Sequence, residues 1–122
     1  MSWSIHFCTE FVVEFEGFDK QVQKELVAHL RLLEFQGPTL GRPRVDTLKG
    51  SRHNNMKELR FSACDGVWRV AFAFDPARKA VALVAGNKTG LSEALFYRRL
   101  IKRADDRFDQ YLREGDSNVQ DT

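Results

Sequence analysis

Arg60, Arg69 and Lys88 are long cations placed on three successive segments of alternating apolar residues. Such a set can grip a phosphodiester through charge-assisted hydrogen bonds, provided the three segments lie side by side. The turns between them decide that. Asp65-Gly66 between apolar alternations is a strong two-residue hairpin signal, and Asp75-Pro76 marks a second turn. A turn centred on Asp65-Gly66 sets Arg60 opposite Ala71 and Ser62 opposite Arg69, and Asp75 opposite Ala80 sets Arg69 opposite Gly86 and Val67 opposite Lys88. One face then collects Glu58, Arg60, Arg69, Ala71, Ala73, Val84, Gly86 and Lys88. The other collects Leu59, Phe61, Trp68, Val70, Phe72, Phe74, Val81, Leu83 and Ala85 and reads as the core. Ala71, Ala73 and Gly86 among long cations predict a shallow, donor-lined depression fit for a phosphate backbone.

Around this set stand weaker candidates. Lys49, Arg52, His53, Lys57 and Tyr97 are expected to contact the nucleic acid beside the three cations. His53, in a loop before the first of the three segments, is of a type that carries protons near neutral pH. Tyr97 either reaches a ligand on the sheet face or packs. Glu58 shares the cationic face and could act as a base, although pairing with Arg60 or Arg69 is the simpler role.

The charge distribution supports a polyanionic partner. Residues 42–103 hold fourteen Lys and Arg against five Asp and Glu, a net +9, while residues 1–41 carry −3 and 104–122 carry −4. The overall +2 therefore conceals a polarised molecule.

Other chemistries lack their signatures. Gly86-Asn87-Lys88-Thr89-Gly90 does not have the spacing of a phosphate-binding loop, and no cofactor motif or metal-ligand spacing is present. Cys8 and Cys64 are far apart and fit idle or buried thiols. The longest apolar run, residues 80–85, is far short of the roughly 20 residues of a membrane span. The N-terminus shows no signal-peptide pattern, so a cytoplasmic location is expected.

The elements that must position the cations follow from periodicity. Trp3, Ile5 and Phe7 alternate as in a short strand; Thr9 is placed to cap a helical turn through Glu16, stopped by Gly17. From Asp19 as N-cap, Val22, Leu26, Leu30 and Leu33 recur at helical spacing until Gly37-Pro38. Residues 37–55 read as loop with a short strand near 45–49. A three-stranded meander follows over 56–61, 67–75 and 80–88, and Ser92 caps a last helix ending near Leu112. The expected fold is α+β: an N-terminal strand and two helices, then an antiparallel β-meander and a C-terminal helix. A single domain fills 1–112, and 113–122 is expected as a flexible tail.

That order, with Leu48-Lys49-Gly50, Met56-Lys57-Glu58-Leu59-Arg60-Phe61, Gly66-Val67-Trp68-Arg69-Val70-Ala71-Phe72 and Gly86-Asn87-Lys88-Thr89, resembles the RelE/ParE toxin superfamily, in its HigB or phage Gp49-like branch. The resemblance implies a type II toxin of a toxin-antitoxin system, an mRNA interferase that cleaves mRNA at the ribosome and is neutralised by a cognate antitoxin of helix-turn-helix type. It assigns the catalytic role to Arg60, Arg69 and Lys88, which stabilise in-line attack by the RNA 2′-hydroxyl. It leaves Tyr97 and Tyr111 as alternatives for the tyrosine that family members carry after the sheet. A DNA gyrase poison of ParE type and a non-catalytic nucleic-acid-binding module are the competing readings.

Overall fold

A computed structural model describes residues 3–120, with side chains described through Glu114. The elements run β1 (Ser4–Phe7), α1 (Thr9–Glu16), α2 (Lys20–Gln36), a 3-10 turn (Gly37–Thr39), β2 (Val45–Thr47), β3 (Met56–Ala63), β4 (Gly66–Phe74), β5 (Lys79–Asn87) and α3 (Glu93–Gln120). The sheet order is β1-β5-β4-β3-β2, with β1 parallel to β5 and the other pairs antiparallel. The α+β class and the strand, helix, helix, meander, helix order hold.

Helix boundaries follow their capping chemistry. Asp19 accepts from the Gln21 N–H at 2.8 Å and opens α2, and Gly37 closes it in a positive-φ conformation. Gly37 is needed twice over, since a Cβ there would lie 2.3 Å from Trp3 Nε1. Thr9 is not a cap: Cys8 holds the N-cap position of α1 and makes no side-chain cap bond. Ser92 does cap α3, its Oγ accepting from the Leu95 N–H at 3.2 Å. That helix continues to Gln120, past Leu112 where its apolar spacing fades. The flexible tail expected over 113–122 falls partly outside the described residues.

The hairpin register corrects one expectation. Ala63 pairs with Gly66, so the β3–β4 turn is Cys64-Asp65, both at positive φ (51° and 59°), and Arg60 lies opposite Arg69 instead of Ala71. Positive φ at both central residues is the backbone that continues the right-handed strand twist through the turn. The shift is two residues, so every side chain keeps its face. The second turn spans residues 75–78, with Asp75 accepting from the Ala77 and Lys79 N–H groups.

A bulge at Leu83 then changes the parity of β5: Ala71 faces Val84, but Phe72 faces Ala82. Arg69 therefore faces Gly86 as expected, while Val81, expected on the core face with Leu83, shares the face of Ala73. The Leu83 carbonyl turned out by the bulge accepts from Arg107 Nη1 (2.8 Å) and Cys8 Sγ (3.4 Å). Arg107 also forks onto Glu14, tying α3 to α1 across the bulge.

Both faces of the sheet are covered. On one, α2 buries Val22, Leu26, Leu30 and Leu33, and Phe18 packs edge-on against Trp68. On the other, α3 brings Phe96, Leu100, Ala104 and Phe108 onto the face that carries Arg60 and Arg69. The expected open depression is therefore filled. Ala71 and Ala73 are fully buried, and Gly86 lies under Phe96. The small residues make room for a helix, leaving the cations at its flank.

Candidate functional site

Beside α3, on its β2–β3 side, an open cleft of about 310 Å³ is lined by Asp46, Thr47, Leu48, Lys49, Glu58, Arg60, Glu93 and Tyr97. Its centre is Glu58, which strand parity turns toward α3 and which is only 5% exposed. Three groups converge on its Oε1: Tyr97 Oη donates at 2.8 Å, Arg60 Nε donates at 3.1 Å and Arg69 Nε stands 3.2 Å away. The cost of burying this carboxylate is offset by two guanidinium groups and a phenol.

Arg60 and Arg69 are cross-strand partners with different surroundings. Arg69 is the more enclosed, its side chain 12% exposed, with Nε donating to Tyr97 Oη at 3.2 Å and Nη1 to the Trp68 carbonyl at 2.9 Å. Arg60 reaches further into the cleft, where Nη2 meets Asp46 at 3.3 Å. Its hydrogen bond to Glu58 raises its pKa above the usual arginine value. The Thr47 N–H, followed by Arg42, holds Asp46 below the usual carboxylate value. Lys88, at the end of β5, bonds Glu93 at 2.9 Å and lies 5.9 Å from the Tyr97 ring centroid. That lysine lowers the pKa of Glu93.

Burial raises the Tyr97 phenol above its usual pKa, with Arg69 opposing and Glu58 adding to the shift. A phenol held protonated beside a carboxylate is a proton donor, not a base. Of the two tyrosines left open by the sequence, Tyr97 stands in the cleft, whereas Tyr111 packs on Phe108 with its hydroxyl toward Asp75.

The structure brings Arg60, Arg69, Lys88 and Tyr97 together, with Lys49 on the rim. It does not bring Lys57, Arg52 or His53 to them. Lys57 alternates to the opposite side of β3, where its Nζ donates to Thr47. Arg52 and His53 are held on the last helix: Arg52 pairs with Asp105, Asp106 and Asp109, and His53 Nε2 bonds Asp109 at 2.8 Å while its ring meets Phe108. With Ser51 and the Arg52 N–H on buried Asp105, these contacts fasten the β2–β3 loop to α3. Asp46 and Glu93 were missed as site residues, because they come from neighbouring elements whose approach no local pattern records.

Among the described residues no three His, Cys, Asp or Glu side chains are grouped so as to hold a metal ion, and no helix is long and apolar enough to cross a membrane. Residues 13–109 match the family described as phage derived protein Gp49-like. The chain belongs to the Gp49-like family. It is 40% identical over 98 residues to "Putative toxin HigB3" of Mycobacterium tuberculosis, covering 80% of this chain and 83% of that protein. It is 47% identical over 97 residues to "Putative toxin HigB2" of the same organism, covering 79% of this chain and 48% of that protein. The chain thus spans about half the length of HigB2. A free-state structure of a mutant of the Escherichia coli toxin RelE superposes with a TM-score of 0.57 at 13% identity, covering 83% of this chain and 95% of that one. This likeness is one of fold; the chain's kinship with the HigB proteins rests on the sequence identities.

Proposed function

We propose that this protein is the toxin of a type II toxin-antitoxin system and cleaves mRNA at the ribosome. The observation that carries the reading is the convergence of Arg60, Arg69 and Tyr97 on Glu58 in a cleft of a Gp49-like chain. Lys88 stands at the same place, and because its partner Glu93 is 74% exposed, solvent screens the pair and holds the lysine only weakly. A phosphate can therefore take Lys88 at little cost.

In the proposed reaction the RNA 2′-oxygen attacks the adjacent phosphorus and its proton passes to Glu58. The bond from phosphorus to the 5′-oxygen breaks, the departing oxygen receives the Tyr97 proton, and a 2′,3′-cyclic phosphate and a 5′-hydroxyl remain. Arg60, Arg69 and Lys88 offset the charge that grows on the phosphoryl oxygens. The cognate antitoxin, of helix-turn-helix type, and the ribosome with its mRNA are the partners of this reading.

A second reading has its own support. Each of the three cations already meets an acid, Arg60 and Arg69 at Glu58 and Lys88 at Glu93, as expected of a network whose role is to seat α3 on the sheet of a non-catalytic module. Incubation of wild-type and Tyr97→Phe protein with a reporter mRNA, with and without translating ribosomes, separates the two. Cleavage with ribosomes that is lost in Tyr97→Phe supports the nuclease. Intact mRNA with wild-type protein overturns it, and inhibition of gyrase supercoiling in a parallel assay would point to the gyrase poison instead.

A further inference from the structure

The helix α3 divides its face of the sheet into two grooves of opposite character. The cleft of Glu58 holds three carboxylates, Asp46, Glu58 and Glu93. On the β5 side a second cavity of about 180 Å³ has none: it is lined chiefly by Gly86, Asn87, Leu91, Phe96, Arg99 and Arg103. Arg99 and Arg103 stand one turn apart on α3, both exposed, and among the described residues neither forms an ion pair. Here two positive charges of the 42–103 stretch stand beside a hollow that holds no carboxylate.

The wall of this cavity is also an unpaired sheet edge. The parallel strand β1 covers β5 only from Lys79 to Ala82. Beyond the Leu83 bulge, the Lys88 N–H turns inward to the Val67 carbonyl, so alternation turns the backbone groups of Ala85 and Asn87 outward. Among the described residues they have no backbone partner there. A planar ring entering the cavity would meet the Phe96 side chain and Leu91 on its faces and backbone donors and acceptors on its edge, with two guanidinium groups at the mouth for the phosphates on either side.

We infer that this cavity is a nucleotide subsite: it takes one unpaired base of a single-stranded RNA, with the flanking phosphates on Arg99 and Arg103. The inference rests on the RNA-directed reading above but not on cleavage. Phe96 and Tyr97, consecutive in sequence with ring centroids 5.2 Å apart, form the partition between the two grooves. An RNA strand crossing the N-terminal end of α3 would place a base in one groove and a phosphate in the other, which fixes its register.

The test measures binding apart from cleavage, by fluorescence anisotropy of labelled uridine and adenosine octamers carrying 2′-deoxy sugars, across a potassium chloride series. Arg99→Gln/Arg103→Gln, whose two positions make no ion pair among the described residues, is compared with wild type after its melting curve has shown that it is folded. The expected result is at least a tenfold loss of affinity at low salt. The slope of log affinity against log salt should shrink by about 1.4, at roughly 0.7 per lost phosphate contact on a single strand. An abasic octamer should bind wild type more weakly than either base-bearing one. Unchanged affinity and slope in the double variant overturn the subsite, and an abasic octamer bound as tightly as the others overturns the seated base. Wild-type protein that binds octamers in this way yet leaves translated mRNA intact sinks the nuclease reading alone. Cleavage with no effect of the Arg99 and Arg103 changes on binding sinks this one alone.

Discussion

A Cβ at position 86 would lie 2.9 Å from Phe96 Cε1, so Gly86 is the socket into which the first turn of α3 is set. This contact holds the tyrosine that follows Phe96 over Glu58 and Arg69. The backbone of a strand thus sets the height of the helix that carries a site residue.

Gly86→Ala should consequently lift Phe96 and cost about 1–3 kcal/mol of stability, the usual range for an added methyl group in a packed interior. Urea denaturation would measure it. Gly86→Ala/Phe96→Leu should recover part of that loss, since a smaller side chain can yield to the new methyl; equal loss in both variants would place the strain elsewhere.

Tyr97→Phe keeps the ring over Lys88 and removes only the hydroxyl between Arg69 and Glu58. The fold should survive with a loss of about 1 kcal/mol, the net worth of such hydrogen bonds, while mRNA cleavage at the ribosome falls by a factor of about 100 or more. Full cleavage by a folded Tyr97→Phe variant would leave the leaving-group proton to another donor.

Much of this arrangement was legible in the chain because strand alternation is robust. Moving the β3–β4 turn from Asp65-Gly66 to Cys64-Asp65 slid the pairing by two, so Glu58, Arg60 and Arg69 stayed on one face and Gly86 still met Arg69. A bulge is different: the extra residue at Leu83 inverts everything before it on β5, and nothing in a run of Ala, Val and Leu marks its position. The parallel pairing of β1 with β5 joins segments distant in the chain, Ser4 with Lys79, and has no local signature either. The small residues on the cationic face were visible, but their meaning was not, because a gap for a ligand and a gap for a helix look alike in sequence.

Asp109 makes one contribution to stability dependent on pH. Hydrogen bonds from Arg52, then His53, hold its carboxyl below the usual value of 3.8. A carboxyl depressed in the folded state stabilises fully above its unfolded pKa, and that stabilisation fades as pH falls below about 4 through the depressed folded value. Asp109→Asn should therefore melt earlier than wild type at neutral pH, with the difference narrowing as the solution is acidified through and below about pH 4. A gap between the two melting temperatures that stays constant over this range would show that the β2–β3 loop is fastened by something other than this charge.

Arg69 is both a proposed phosphate ligand and the neighbour of a buried carboxylate, and the two roles predict different double variants. Arg69→Ala removes the more enclosed of the two guanidinium groups beside Glu58, whose side chain is 6% exposed. Stranding a buried charge in this way costs roughly 3 kcal/mol, which is a large share of the stability of a domain of this size. Glu58→Gln/Arg69→Ala takes away the charge that was stranded, so it should be more stable than Arg69→Ala alone by about 1–2 kcal/mol, while cleavage stays absent because the phosphate contact and the carboxylate are both gone. Chemical denaturation and ribosome-dependent cleavage of one reporter mRNA, measured on the two single variants and the double, complete the cycle. Additive stability losses would mean that Arg69 and Glu58 do not compensate one another, and cleavage by the double variant would remove both from the chemistry.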